Sequence, residues 1–395
     1  MINGHGDDAF RYGRPIVANF SSNVYGHVDL EPLKAHLRER LDTIGHYPEP
    51  EPYTLERALA ARHGIAPEEV CVTAGATEAI YLTAHAFAGT PATILTPTFS
   101  EYADACRLYY HTLSSEWSDG WFFGPRAFSL RAERKTGDAE GAVRFPVKPG
   151  MTDGVKPGMT DGVKPGMTDG VKPGMTDGVK PGMTVWLCNP NNPTGTVIPK
   201  EQLMKAFEKQ PETVFVVDQS YGFFTREPLL RAAEAVAYPN VIQLHSMTKR
   251  YAMPGIRLGY ITACPQLLER IRAVRMPWSV NALAIEAGLY LCAHPDTAPI
   301  DLDALLAETQ RLRAALNILP GITAEPTQTH FFLCHLAEGR ASDLKQWLAE
   351  TRGILIRDAS NFEGLDAGHF RIATQTPAEN DALVEAIRIY LEEHR

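Results

Sequence analysis

The stretch VIQLHSMTKRYAMPGIRLGYITA, residues 241–263, carries two short apolar runs around a segment holding Lys249 and, eight residues on, Arg257. A surface helix mixes its basic residues with acids. Here the neighbours are apolar, small or aromatic, and Pro254-Gly255 breaks the chain before RLGYITA resumes a strand pattern. The segment therefore reads as a buried strand, VIQLHS (241–246), whose end delivers a lysine and an arginine into a loop.

Outward from it the same pattern repeats. EVCVTA (69–74), ATILTP (92–97), VWLCN (185–189) and VFVVD (214–218) are apolar at nearly every position. Helical patterns lie at 77–88, 200–209 and 265–274. Strands without alternation, separated by helices, predict an α/β fold with a mostly parallel sheet covered on both faces. Past residue 275 the helices lengthen (AIEAGLYLCAH, DLDALLAETQRLRAALNI) and precede the short strands THFFLCHL and ILIRD. The expected division is an N-terminal segment, 1–40, packing with the small domain; a large domain, 41–275; and a smaller α+β C-terminal domain, 276–395.

The 395 residues, 44% of them hydrophobic, suffice for two domains. A net charge of -9 disfavours nucleic-acid binding. No apolar run is long enough to span a membrane, and the polar start MINGHGDDAF is unlike a signal peptide. Cys71, Cys106, Cys188, Cys264, Cys292 and Cys334 are scattered without metal-ligand spacing, so free thiols, no zinc site and a cytoplasmic location are expected.

From Val147 the octamer VKPGMTDG occurs four times and begins a fifth copy ending at Thr184. Its Pro-Gly and Asp-Gly pairs mark turns, and no unit has apolar residues enough for a core. The insertion, 147–184, is expected to be a flexible surface loop; as a coil it spans about 35 Å. Deleting residues 147–178 is expected to leave activity and stability nearly unchanged, because closure entropy grows only with the logarithm of loop length. A stability loss of several kcal/mol on chemical denaturation would show that the repeat packs.

In an open parallel sheet, ligands bind beyond the carboxyl ends of the strands. After EVCVTA comes GATEAI, a helix start whose Gly75, Ala76 and Thr77 N–H groups would face a phosphate. After VWLC comes NPNNPTG with Asn189, Asn191 and Asn192; after VFVV come Asp218 and Tyr221; after VIQLH come Ser246, Lys249 and Arg257. Singly these are ordinary turns and caps. Together they match pyridoxal phosphate. Lys249 would hold the aldehyde, Asp218 would keep the pyridine nitrogen protonated, and Arg257, Ser246 and the helix start would bind the phosphate. Asn192 and Tyr221 would reach the ring oxygen. Apolar surroundings would make the lysine less basic and a better nucleophile.

The ordered set GATEAI, NPNNPTG, DxxY, SxTK and PGIRLGY resembles the fold type I pyridoxal-phosphate enzymes of the class I/II aminotransferase superfamily. The resemblance implies a three-layer large domain, and an aromatic stacked on the cofactor that PTFSEY supplies as Phe99, with Tyr102 nearby. Through HYPEPEPYTLERALA it implies that Tyr47 enters a neighbouring subunit's phosphate site, hence a homodimer. Through GHFRIAT it implies that Arg371 binds a substrate carboxylate.

Within the superfamily GHGDDAFRYG followed by NFSSNVYG, PTFSEY, and GILIRDASNFEGL are more similar to the threonine-phosphate decarboxylases than to the histidinol-phosphate aminotransferases. That likeness implies a small phosphorylated amino-acid substrate, with His5 and Arg357 near its phosphate and Asn23 close by. The N-terminal segment and small domain would close over it. Two departures stand out: Asp7 where the pattern has a second Gly, and Gln219-Ser220 where Glu-Ala is common. Decarboxylation is the leading expectation and transamination the second. A noncatalytic ligand-binding protein is the third, opposed by the intact Lys249, Asp218 and Arg257.

Overall fold

The computed structural model describes residues 6–117 and 182–394. His5 and the repeat residues 147–181 lie outside the described residues. Among those described, seven strands form one sheet: β2 (Val70–Thr73), β3 (Pro91–Thr96), β4 (Thr112–Trp117), β5 (Met183–Cys188), β6 (Thr213–Asp218), β7 (Val241–Ser246) and β8 (Gly259–Ala263). β1 is the short pair Ala18–Asn19. The sheet order is β2-β8-β7-β6-β5-β3-β4, with β8 antiparallel to both neighbours and every other pairing parallel.

The near-continuous apolar strands have a direct cause. Successive side chains of a strand point to opposite faces, and each face of this sheet is covered. Val214 and Val216 of β6 join a core with Trp186 and Ile261, whereas Phe215 and Val217 join another with Val185 and Phe207. All six residues of β6 are buried.

The fifth repeat copy ends differently from the flexible loop expected through Thr184. Met183 and Thr184 are the first residues of β5, paired with Thr213 and Val214, and Thr184 is buried. The copy's last two residues are held because the sheet, not the repeat, sets their conformation.

A second sheet, antiparallel, has the order β12-β13-β10-β9 from β9 (Ile322–Ala324), β10 (Phe331–Leu336), β12 (Arg357–Asp358) and β13 (His369–Ala373). The helices Leu302–Asn317 and Pro377–Glu393 cover it, placing Leu312, Leu316, Leu383 and Ile387 against Phe332, Phe370 and Ile372. ILIRD, read as one strand, is two. Its first half, β11 (Ile354–Leu355), pairs in parallel with β1, and its second half is β12. The N-terminal segment is thereby hydrogen-bonded to the C-terminal part of the chain. No described helix is long and apolar enough to cross a membrane, and all six cysteines are free.

Candidate active site

A cavity of about 240 Å³ opens at the carboxyl ends of β5, β6 and β7. Ala76, Thr77, Phe99, Asn192, Asp218, Tyr221, Ser246, Lys249 and Arg257 line it, together with Asn23, Arg357 and Arg371. Residues read from separate motifs thus meet in one place. Parallel strands bring this about, since their carboxyl ends fall along one edge.

The sole buried carboxylate of the group is Asp218, the last residue of β6 and 3% exposed. It accepts hydrogen bonds from the Tyr102 hydroxyl and the Ser220 N–H, both at 2.8 Å. Burial pushes its pKa up, and the Ser220 and Tyr102 bonds and the Lys249 charge pull it back. A carboxylate so held is suited to a protonated ring nitrogen. The motif PTFSEY places Tyr102 only near Phe99; its bond to Asp218 joins residues 116 apart, which no local pattern could reveal.

Lys249 lies in the short helix Met247–Arg250 directly after β7, with its Nζ 5.9 Å from the centre of the Tyr221 ring. Burial, then the charges of Arg371 and Arg257, bring its pKa down to about 8. The amine therefore gives up its proton more readily than a free lysine, as nucleophilic attack requires.

At the other end stands the helix Ala76–Ala86 with Gly75 as its N-cap. Here the structure corrects one detail. The Gly75 N–H is taken by the Thr73 carbonyl at 2.8 Å, so Ala76 and Thr77 are the residues left to face an anion. Gly75 contributes by what it lacks: a Cβ there would lie 2.6 Å from Arg257 Nη2, and its φ is +88°. Arg257 is itself left-handed, at φ +59°. A non-glycine residue in that region is uncommon and costs about 1–2 kcal/mol, consistent with a guanidinium aimed for a purpose. A helix N-terminus and an arginine side by side fit a phosphate.

Of the three loop asparagines only Asn192 lines the cavity. Asn189 exchanges bonds with Ile198, and Asn191 bonds Pro97 and Thr98, so both shape the loop. Asn192 Oδ1 accepts from Arg371, leaving its NH2 group as the donor toward a ring oxygen.

Arg371 also donates to the Ser21 carbonyl, and its buried Nε has no partner. Burial brings the Arg371 pKa down to about 9 and that of Arg357 to about 10. The two arginines are register partners across β12 and β13. Like charges directly opposite on neighbouring strands repel, and an anion between them would offset that cost. Arg357 is held by Asn361 at 2.8 Å and lies 5.1 Å from the centre of the Phe362 ring. Gly6, Asp7, Ser21 and Ser22 also line the cavity, and of these the sequence pattern singles out only Asp7.

Tyr47 is not in this cavity. It is 88% exposed and packs on Trp278 at 5.7 Å. The residues present fit pyridoxal phosphate: a buried carboxylate at one end, an arginine beside a helix start at the other, and a lysine and aromatic ring between.

The family model described as aminotransferase class I and II matches residues 15–115 and 174–387. The threonine-phosphate decarboxylase of Salmonella typhimurium is 28% identical over 379 residues, 94% of this chain and 90% of the relative. The crystal structure of L-threonine-O-3-phosphate decarboxylase from Porphyromonas gingivalis is 35% identical, with a TM-score of 0.79 over 95% of this chain and 100% of that one. Histidinol-phosphate aminotransferase from Sinorhizobium meliloti, solved with pyridoxal-5'-phosphate, shares the fold at 18% identity. Its TM-score is 0.73 over 100% of this chain and 96% of that one.

Proposed function

This chain belongs to the aminotransferase class I and II family, and from that premise we propose that it is a pyridoxal-phosphate enzyme releasing carbon dioxide from L-threonine O-3-phosphate. The observation that carries the reading is the pairing of Arg357 with Arg371 on one wall of the cavity that holds Lys249. Two guanidiniums give two anion grips, and threonine phosphate has two anions. Histidinol phosphate has one.

When bound, the cofactor supplies an electron sink for the bond that breaks. This chain's residues do the rest. Arg257, Ser246 and the N–H groups of Ala76 and Thr77 hold the cofactor phosphate. Asp218 would keep the ring nitrogen protonated, Phe99 would pack on the ring, and Asn192 and Tyr221 would donate to its oxygen. Arg371 orients the substrate carboxylate while Arg357 takes the phosphate and Asn23 lies alongside. Lys249, with its lowered basicity, holds the cofactor's aldehyde. Once the substrate's amino group has displaced it from the aldehyde, the freed Lys249 amine would deliver to the carbon that loses carbon dioxide a proton drawn in turn from solvent.

The test supplies threonine phosphate and histidinol phosphate, each with and without 2-oxoglutarate. Carbon dioxide from threonine phosphate without any oxo-acid is expected. If only histidinol phosphate turns over, and only with 2-oxoglutarate, the chain is an aminotransferase instead.

The reading includes a homodimer. Ile44, Tyr47 and Met276 are 70%, 88% and 72% exposed, and Leu41, Tyr53 and Trp278 add to the same set of exposed apolar side chains. A second copy covering them would let Tyr47 reach the partner's phosphate-binding residues. A monomeric mass by light scattering at micromolar concentration would remove Tyr47 from the site.

A further inference from the structure

A second cavity, of about 530 Å³, lies between the helix Tyr53–His63 and the segment 219–233, and shares Ser220 and Ser246 with the first. Its lining includes Arg62, Arg231 and Arg250 but no aspartate or glutamate. In a chain of net charge -9 that is unusual company. Arg231, at the exposed end, is accounted for by Glu234 at 3.0 Å. The other two are not so paired.

Arg62 donates to the Leu291 carbonyl and the Tyr251 hydroxyl, both at 3.2 Å. Arg250 donates to the Pro295 carbonyl at 3.4 Å and stacks on Phe223 and Tyr251, 4.6 and 4.9 Å from the ring centres. Among the described residues neither is ion-paired with a carboxylate; Asp296 acts on Arg250 without forming such a pair. Burial, and after it the neighbouring Arg62 charge, disfavour the charge on Arg250, against the opposing effect of Tyr251. Neither half-buried guanidinium has a carboxylate beside it, and a guanidinium presents a fork of N–H donors suited to an oxyanion.

A third group points to the same occupant. Gln219, which also lines this cavity, accepts from Gln243 through Oε1 at 2.7 Å, while its Nε2 is buried with no partner. Leaving a buried donor unmatched costs stability that a bound acceptor would restore. The neutral Gln219 amide adds a donor to this lining and brings no negative charge to the arginines. Phe223, Leu229 and Leu230 give the lining an apolar part.

We propose that this cavity binds a small organic phosphate, its oxyanion on Arg62, Arg250 and Gln219 Nε2 and its apolar body against Phe223 and Leu230. The site adjoins the reaction cavity at Ser220 and Ser246 and is coupled to it through the backbone. Gln219 follows Asp218 directly, Ser220 donates its N–H to Asp218, and Arg250 follows Lys249. An occupant would therefore act on the two residues that address the cofactor's ring nitrogen and aldehyde.

Phenyl phosphate serves as the probe, titrated calorimetrically into the full-length protein loaded with cofactor. Saturable binding is expected that weakens at least tenfold in Arg62→Gln/Arg250→Gln and persists in Arg357→Ala. Arg250→Lys, which keeps the charge but not the fork, is expected to fall between. Melting temperatures of all variants separate lost binding from lost folding. Inorganic phosphate is expected to bind more weakly than phenyl phosphate; equal affinity would overturn the apolar half of the proposal. Binding that survives the double variant but vanishes in Arg357→Ala would place the probe in the first cavity and overturn the site. So would no saturable binding, or a dimer structure in which a partner carboxylate sits on Arg62 and Arg250.

Discussion

Lys249→Ala is expected to lower turnover on the order of 10⁴- to 10⁶-fold, the scale seen when a covalent catalyst is removed, and to abolish the borohydride-reducible adduct with the cofactor. The fold should survive, because the lysine is a functional group on a short helix and not a packing element. A companion variant, Lys249→Met, isolates the cost of burying the amine. The lysine's pKa falls from 10.5 to about 8 in the folded chain, so the folded state disfavours its charged form. Below pH 8 the amine is protonated in both states and the burial penalty is fully present, by about 3 kcal/mol at 1.36 kcal/mol per pH unit. Between pH 8 and 10.5 the unfolded chain binds more protons, so wild-type stability rises with pH. The cofactor-free methionine variant should therefore be more stable than wild type at pH 7, by an amount that shrinks toward pH 10.5. Peptide mapping that finds the reduced adduct on another lysine would refute the assignment. Equal stability at pH 7 would contradict the buried amine.

The arginine pair should give the second-largest effect. Truncating a group that grips a buried charge costs about 2–5 kcal/mol, so Arg357→Ala is expected to reduce kcat/KM for threonine phosphate by roughly 10³-fold. The loss should fall on kcat as well as KM, since binding energy from the remote phosphate orients the bond that breaks. Unphosphorylated threonine should be a poor substrate for the wild type and indifferent to the substitution. Arg371→Lys should impair both substrates, because both carry the carboxylate. That variant keeps the charge but cannot reproduce the bonds to Asn192 and the Ser21 carbonyl together. If Arg357→Ala lowered turnover of both substrates equally, Arg357 would be acting on the fold and not on the phosphate.

The sequence was legible wherever a residue's role follows from its place on its own strand. Apolarity at every position of VFVVD requires a sheet buried on both faces, and β6 supplies alternate residues to two cores. Once the strands are parallel, their carboxyl ends coincide, and whatever polar groups follow them must meet. Asp218, Asn192, Ser246 and Lys249 are thus placed together by the strands they follow, and all line one cavity.

What depends on two distant segments meeting could not be read this way. Local pattern carries no direction for β8, which runs antiparallel between β2 and β7. Nor does it divide ILIRD between two sheets, a division that sets Arg357 opposite Arg371. Tyr102 reaches Asp218 only because its helix packs on the sheet, and Gly75 lost its expected N–H role to a turn with Thr73. The carboxylate-free cavity around Arg62 and Arg250 joins residues from opposite ends of the large sheet's chain. Apolar period and strand-end chemistry are properties of short segments, so the sequence by itself determined the fold class and the cofactor-like set. Strand partners, register and charge compensation are long-range, and they were decided only when the chain packed.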